Sequence, residues 1–113
     1  MESKPIDTQL GSPTYWVTPE DESGRRLLQR YLSRRRGELA GLKMALERGD
    51  YDAIRRVGHN LRGSGAAYEL PRISVLGAQI ERAAELGQTE SLRVAIVNLE
   101  QFLESVGVVE AAD

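Results

Sequence analysis

The stretch Asp52–Tyr68 reads DAIRRVGHNLRGSGAAY, and its spacing decides the fold. At about 100° per residue, Ile54, Val57, Leu61, Gly65 and Tyr68 fall on one side of a helix, which is therefore its core side. His59, the only histidine of the chain, lies roughly 150° from the middle of that side and points to solvent. Arg55 and Arg62 flank it, one turn before and nearly one turn after, and Gly63 and Ala66 continue its face. Three glycines share this helix, each costing on the order of 1 kcal/mol against alanine. Gly58 and Gly65 lie toward the core, where a missing side chain lets a neighbouring helix come close. Gly63 faces outward, so packing inside the domain does not account for it. A gap beside an exposed imidazole makes sense if something large must reach the ring.

Outward from this helix, the chain is punctuated at helical intervals. Upstream, Thr18-Pro19-Glu20-Asp21 reads as a helix start, with Thr18 capping and Pro19 at the first helical position. Gly24 bends or restarts this segment. Leu27, Leu28, Tyr31, Leu32, Leu39, Leu42 and Leu46 then recur at helical spacing to about Arg48, and Gly49 is placed to cap the end. Asp50 or Asp52 caps the His59 helix. Downstream, Pro71 opens a helix with Ile73, Leu76, Ile80 and Ala84 on one face and Gly87 after its end. A last helix starts near Thr89, carries Leu92, Ile96, Leu99, Leu103 and Val106, and is followed by Gly107. Connections this short make neighbouring helices antiparallel. The expected fold is all-α, an antiparallel up-down four-helix bundle with a short N-terminal helix or extension. It spans residues 18–107, between an irregular tail at 1–17 and a C-terminal tail at 108–113. Tyr15 and Trp16 are expected to pack on the domain edge, and no β-alternation of useful length is seen.

Composition narrows the function. A chain of 113 residues fits one domain, and 5% aromatic content leaves a core of Leu, Ile, Val and Ala. There is no cysteine for disulfides or thiolate zinc sites. No apolar run approaches the roughly 18 residues of a membrane span, and no secretory h-region is visible near the start. A cytoplasmic location and no membrane partner are the default expectations. The net charge of -2 gives no global pull toward nucleic acid.

The setting of His59 suits phosphoryl carriage. A neutral imidazole offers one nitrogen lone pair as a nucleophile, and nearby guanidinium groups such as Arg62 and Arg55 can bind phosphoryl oxygens. No Asp cluster for magnesium and no second base stand beside it, so no metal site is expected here. The chain reads as a carrier without independent catalytic activity, whose partner brings the metal and the catalytic carboxylates.

The run His59-Asn60-Leu61-Arg62-Gly63-Ser64-Gly65-Ala66 resembles the signature of the histidine phosphotransfer (HPt) domain family, His-x-Leu-Lys/Arg-Gly-Ser followed by small residues. Gly49-Asp50 precedes the helix at the family's usual spacing, and Ile80-Glu81 falls where the family often has Leu-Glu. The resemblance covers residues 20 to 106. It implies a phosphorelay carrier that passes a phosphoryl group between receiver-domain aspartates through His59. Arg62 would steady that group, and Gly63, with Ala66 and Ser64, would leave room for the receiver. Gln79 or Glu81, on the following helix, would hold the other ring nitrogen. The implied partners are a response regulator receiver domain and a hybrid sensor histidine kinase, with no cofactor on this chain and magnesium on the receiver. Arg62 stands where lysine is commoner, and Glu69 where many members have glycine, a strained choice if that position is left-handed.

Two other readings compete. A helical adaptor that binds a receiver or kinase domain without being phosphorylated would be marked by loss of the histidine, and His59 is present. An arginine-rich nucleic-acid binder would use Arg25, Arg26, Arg30 and Arg34–Arg36, but Glu38 and Glu47 dilute that run and no aromatic residues interleave for stacking. A solvated helix face is the expectation for these arginines.

Overall fold

Cap chemistry sets several of the helix ends in the computed structural model, which describes residues 13–109. The order is β1 (Tyr15–Val17), α1 (Glu22–Gly37), α2 (Leu39–Arg48), α3 (Tyr51–Gly65), a 3-10 turn (Ala66–Tyr68), α4 (Pro71–Glu85), α5 (Thr89–Ser105) and β2 (Val106–Val108). Asp50 caps α3, its Oδ1 accepting from the Ala53 N–H at 3.2 Å, and Pro71 is the first residue of α4. Gly49 and Gly87 take left-handed φ values of 72° and 65°. That conformation lets the N–H groups after each helix fold back on its last carbonyls, as Asp50 does on Ala45 at 2.8 Å and Gln88 on Ala83 at 2.9 Å. The turn after the 3-10 segment is built alike, with Leu70 N–H on Gly65 at 2.8 Å, but Glu69 occupies the left-handed position at φ 60°.

α1 and α2 form one interrupted rod, which with α3, α4 and α5 makes the expected all-α four-helix bundle. The core residues with almost no exposed surface include Leu32, Ile54, Leu61, Leu70, Ile73, Leu76, Ile80, Leu92, Leu99 and Leu103. All but Leu70 belong to the apolar stripes read from the sequence.

Several expectations are corrected. The first helix begins at Glu22, not after Thr18, because Asp21 caps it: its Oδ1 accepts from the Gly24 N–H at 2.7 Å. The run to Arg48 is interrupted at Glu38, whose N–H is shared between the Arg34 and Arg35 carbonyls at 3.2 Å each. Gly37 and Gly41 flank that point, and a Cβ at either would touch nothing within 4 Å, so they weaken the helix there without serving contact.

The tails are also not irregular up to the bundle. β1 and β2 pair in parallel, Tyr15 with Val106, Trp16 with Gly107 and Val17 with Val108. Thr14 and Val109 extend the pairing through bonds to Ser105 and Val17 at 2.7 and 2.9 Å. Gly107 is therefore a strand residue: a Cβ there would come within 2.7 Å of the Trp16 ring. Tyr15 lies 5.7 Å from the Phe102 ring, at the domain edge as expected. Three-residue strands are too short for alternation to reveal. Residues 1–12 and 110–113, the outer parts of the two expected tails, lie outside the described residues.

The arginine run is only partly a solvated face. Arg25 Nε donates to the Val109 carbonyl at 3.0 Å. Arg36 Nη2 donates to Leu103 and Val106 carbonyls at 2.9 and 3.0 Å, closing the end of α5. Arg35 is buried, 4.9 Å over the Tyr31 ring and paired with Glu38 at 2.9 Å. Burial pushes the Glu38 carboxyl up, against the opposing pull of Arg35 and Arg34.

Candidate functional site

The closest helix pair in the bundle, α3 and α4, builds the site. Gly58 and Gly65 of α3 face it, and the core-side placement read for both holds. A Cβ on Gly58 would lie 2.7 Å from the Glu81 backbone N and 2.9 Å from the Gly77 carbonyl. One on Gly65 would lie 2.5 Å from the Ser74 N. Gly77 answers from α4, where a Cβ would stand 2.5 Å from the Arg62 N. Three absent side chains thus bring the two backbones together beneath His59, and the next residue along α3 meets the carboxylate of Glu81.

His59 is outward, its side chain 57% exposed, whereas that of Glu81 is 12% exposed. His59 Nδ1 lies 3.1 Å from Glu81 Oε2, and Arg62 Nε lies 3.1 Å from Glu81 Oε1. One carboxylate therefore spans both residues. Arg62 Nη2 also lies 3.4 Å from His59 Nδ1. The two contacts at Nδ1 are incompatible, since a ring nitrogen that donates to Glu81 cannot accept from Arg62. The shorter contact, to a carboxylate that only accepts, takes the proton. In the neutral ring, Nδ1–H then donates to Glu81, and Nε2 keeps the lone pair.

Of the sequence-derived residues, His59, Arg62 and Glu81 come together. Gly63 is exposed beside them, and a Cβ on it would meet nothing within 4 Å. Ala66 is exposed further along, its N–H bonded to Ser74 Oγ at 2.9 Å. Arg55 is not drawn to the histidine: it pairs with Asp52 at 3.1 Å, the i,i+3 acid on its own helix. Gln79 is exposed on another face of α4, lining a hollow against α5 with Arg82 and Val94. Ser64 turns aside from the access face, half-buried and bonded through Oγ to the Tyr31 hydroxyl at 2.7 Å. Tyr31 in turn stacks on Tyr68 at 4.1 Å. Gly77 escaped the sequence reading, and Tyr31 was read only as a member of the apolar stripe. Gly77 had a signal, a residue without a side chain among the apolar positions Ile73, Leu76 and Ile80.

An outward nucleophilic nitrogen, a second nitrogen held by a carboxylate, a guanidinium alongside and open space one turn on define a histidine-based group-transfer surface. The Hpt domain family model matches residues 26–112, most of the chain, and the protein belongs to the Hpt domain family. No curated protein and no solved structure gives a significant match. The family works in His-to-Asp phosphorelay signalling, with receiver domains or kinases as partners, and its members are phosphotransfer carriers rather than catalysts. Among the described residues, no helix is long and apolar enough to cross a membrane.

Proposed function

We propose that this chain is a phosphocarrier that accepts a phosphoryl group on His59 Nε2 from one receiver-domain aspartate and passes it to another. The observation that carries this is the bond between His59 Nδ1 and the nearly buried Glu81 carboxylate, which leaves Nε2 as the nitrogen with the free pair, aimed outward. In the accepting step, the Nε2 pair attacks phosphorus as the P–O bond to the receiver aspartate breaks, and the carboxylate leaves with that electron pair. Donation is the reverse. The Glu81 carboxylate offsets the positive charge that the imidazole ring gains on phosphorylation, and Arg62, tied through Nε to the same carboxylate, keeps its outer nitrogens beside the incoming oxygens. Arg55 is not given a phosphoryl role, because Asp52 already engages it. Gly63 and Ala66 leave the approach open. Magnesium belongs on the receiver, and a hybrid sensor kinase is the upstream partner this chemistry fits. Its place of work is the cytoplasm, where such receivers act.

The test is phosphotransfer from a phosphorylated receiver domain with magnesium, wild type against His59→Gln. Label on the wild type alone, lost in acid and stable in alkali, is the expected result. Label on neither protein across a broad panel of receivers would favour the adaptor that binds without being phosphorylated.

A further inference from the structure

α4 and α5 together present a second surface that the phosphoryl chemistry does not use. At roughly 100° per residue, Val75, Gln79, Arg82 and Leu86 fall within about 60° of one another along α4 and its end. Glu90, Val94, Val97 and Gln101 do the same along α5. All eight are exposed. Both seams step by four, three and four residues, the spacing at which one helix meets another. Between them lies a hollow of about 670 Å³, whose lining includes Ala78, Ala83 and Ala95, side chains too small to fill it. Val94, 51% exposed, stands at its edge.

The chemistry of this face restricts what can cover it. Of the eight seam positions, only Arg82 is basic and only Glu90 is acidic, so the face attracts neither an acidic nor a basic partner as such. Both residues line the hollow. The Arg82 side chain makes no hydrogen bond or ion pair among the described residues. Glu90 meets Arg93 at 3.4 Å, with its own side chain 81% exposed. The other polar groups around the hollow are Gln79, Gln88, Ser91 and Asn98, and each of them can both donate and accept. Groups of that kind can pair with their own copies, which a face of one charge cannot do.

We infer that this face docks a second copy of the chain, across a two-fold axis parallel to the helices. Such an axis sets α4 of one copy against α5 of the other at the same height along the bundle. Arg82 is in the last turn of α4 and Glu90 in the first turn of α5, so both lie at one end of the pair. Arg82 of each copy then meets Glu90 of the other, and the two Val94 side chains enter the shared hollow. A two-fold contact needs a patch that complements itself, and both halves of the charge pair are present in this one chain. With 15 and 17 residues, α4 and α5 make a face roughly 22 Å long and about 20 Å wide. Its projected area of roughly 450 Å² is below the roughly 800 Å² per partner of a standard stable complex, so the dimer is reversible and depends on concentration. The α4 seam stands about 130° around the helix from Glu81. The contact therefore leaves His59 open on both copies.

Sedimentation of the whole chain from about 10 µM to about 1 mM reads the association. Wild type is expected to shift from monomer toward dimer across that range. The two-fold axis repeats every contact, so each substitution acts twice. Arg82→Glu and Glu90→Arg each weaken the dimer about tenfold in Kd, because like charges then face one another. An equimolar mixture of these two variants regains wild-type association, since opposite charges again oppose across the axis. Nonspecific adhesion of an apolar surface would not give that rescue. Val94→Asp is monomeric throughout. All three positions are exposed, so each variant keeps the wild-type Tm, and if one fails to fold the other two still carry the test. Wild type that stays monomeric at about 1 mM, variants that associate as wild type does, or a mixture that stays monomeric would overturn the surface. None of these results bears on the phosphocarrier reading, whose residues lie outside the contact.

Discussion

At the scale of single residues, the site is a set of positions where helix stability and access conflict. Gly63 is the clearest. It sits on an exposed helical face with room for a Cβ, so alanine there costs no space and gains helix propensity. Gly63→Ala is expected to stabilise the protein by about 0.5–1 kcal/mol, a rise in Tm of several degrees, while slowing phosphotransfer. Thermal unfolding and transfer rates measured together check this, and an unchanged transfer rate would remove the access role. His59, Arg62 and Gly63 were legible because exposure on one helix follows from its own periodicity. The choice between Gln79 and Glu81 was not. These two residues stand about 200° apart around α4, so only one can face α3, and which one depends on how the two helices are rolled against each other.

At the scale of elements, the α3–α4 contact sets that roll. Gly58, Gly65 and Gly77 let the backbones touch, and a methyl at Gly77 would stand 2.5 Å from the Arg62 backbone N, a position that no flexible side chain can vacate. Gly77→Ala must push the helices apart. The expected loss is about 1–3 kcal/mol, with the His59–Glu81 bond broken in what remains folded. Denaturant unfolding reads the first effect. Nitrogen NMR of the imidazole reads the second, as a fall in the Nδ1–H tautomer. A variant that keeps that tautomer at wild-type level would show that the close approach does not orient His59. The interruption between α1 and α2 belongs to this scale as well, since the Leu stripe runs through it unchanged and the stripe alone forecast an unbroken helix.

At the scale of the whole molecule, links far apart in sequence hold the bundle's ends. The β1–β2 pair joins the two ends of the described chain, and Arg36 and Arg25 bind carbonyls at and beyond the end of α5. Glu38 sits at the break in the first rod, and its carboxyl is raised, mainly by burial. A carboxyl with a raised folded pKa contributes stability at low pH and loses it as pH climbs from its ordinary 4.5 through the folded value. The stability of wild type relative to Glu38→Gln should therefore fall as pH rises through that interval, opposite to the trend of a carboxylate stabilised by its ion pair. Urea unfolding of both proteins at a series of pH values checks the sign, and a difference that grows with pH would mean that the Arg35 pair outweighs burial.

What the amino-acid order determined alone is local. Helix stops at Gly49 and Gly87, the start at Pro71, the buried stripes and the outward His59 each depend on residues within a few positions of one another, where periodicity and cap chemistry operate. What only the tertiary structure decided is long-range. Glu81 lies 22 residues from the histidine it holds, and Arg25 lies 84 from the carbonyl it binds. Partners at such separations are chosen by how closely two helix backbones pack and how far each is turned, quantities that no local pattern carries.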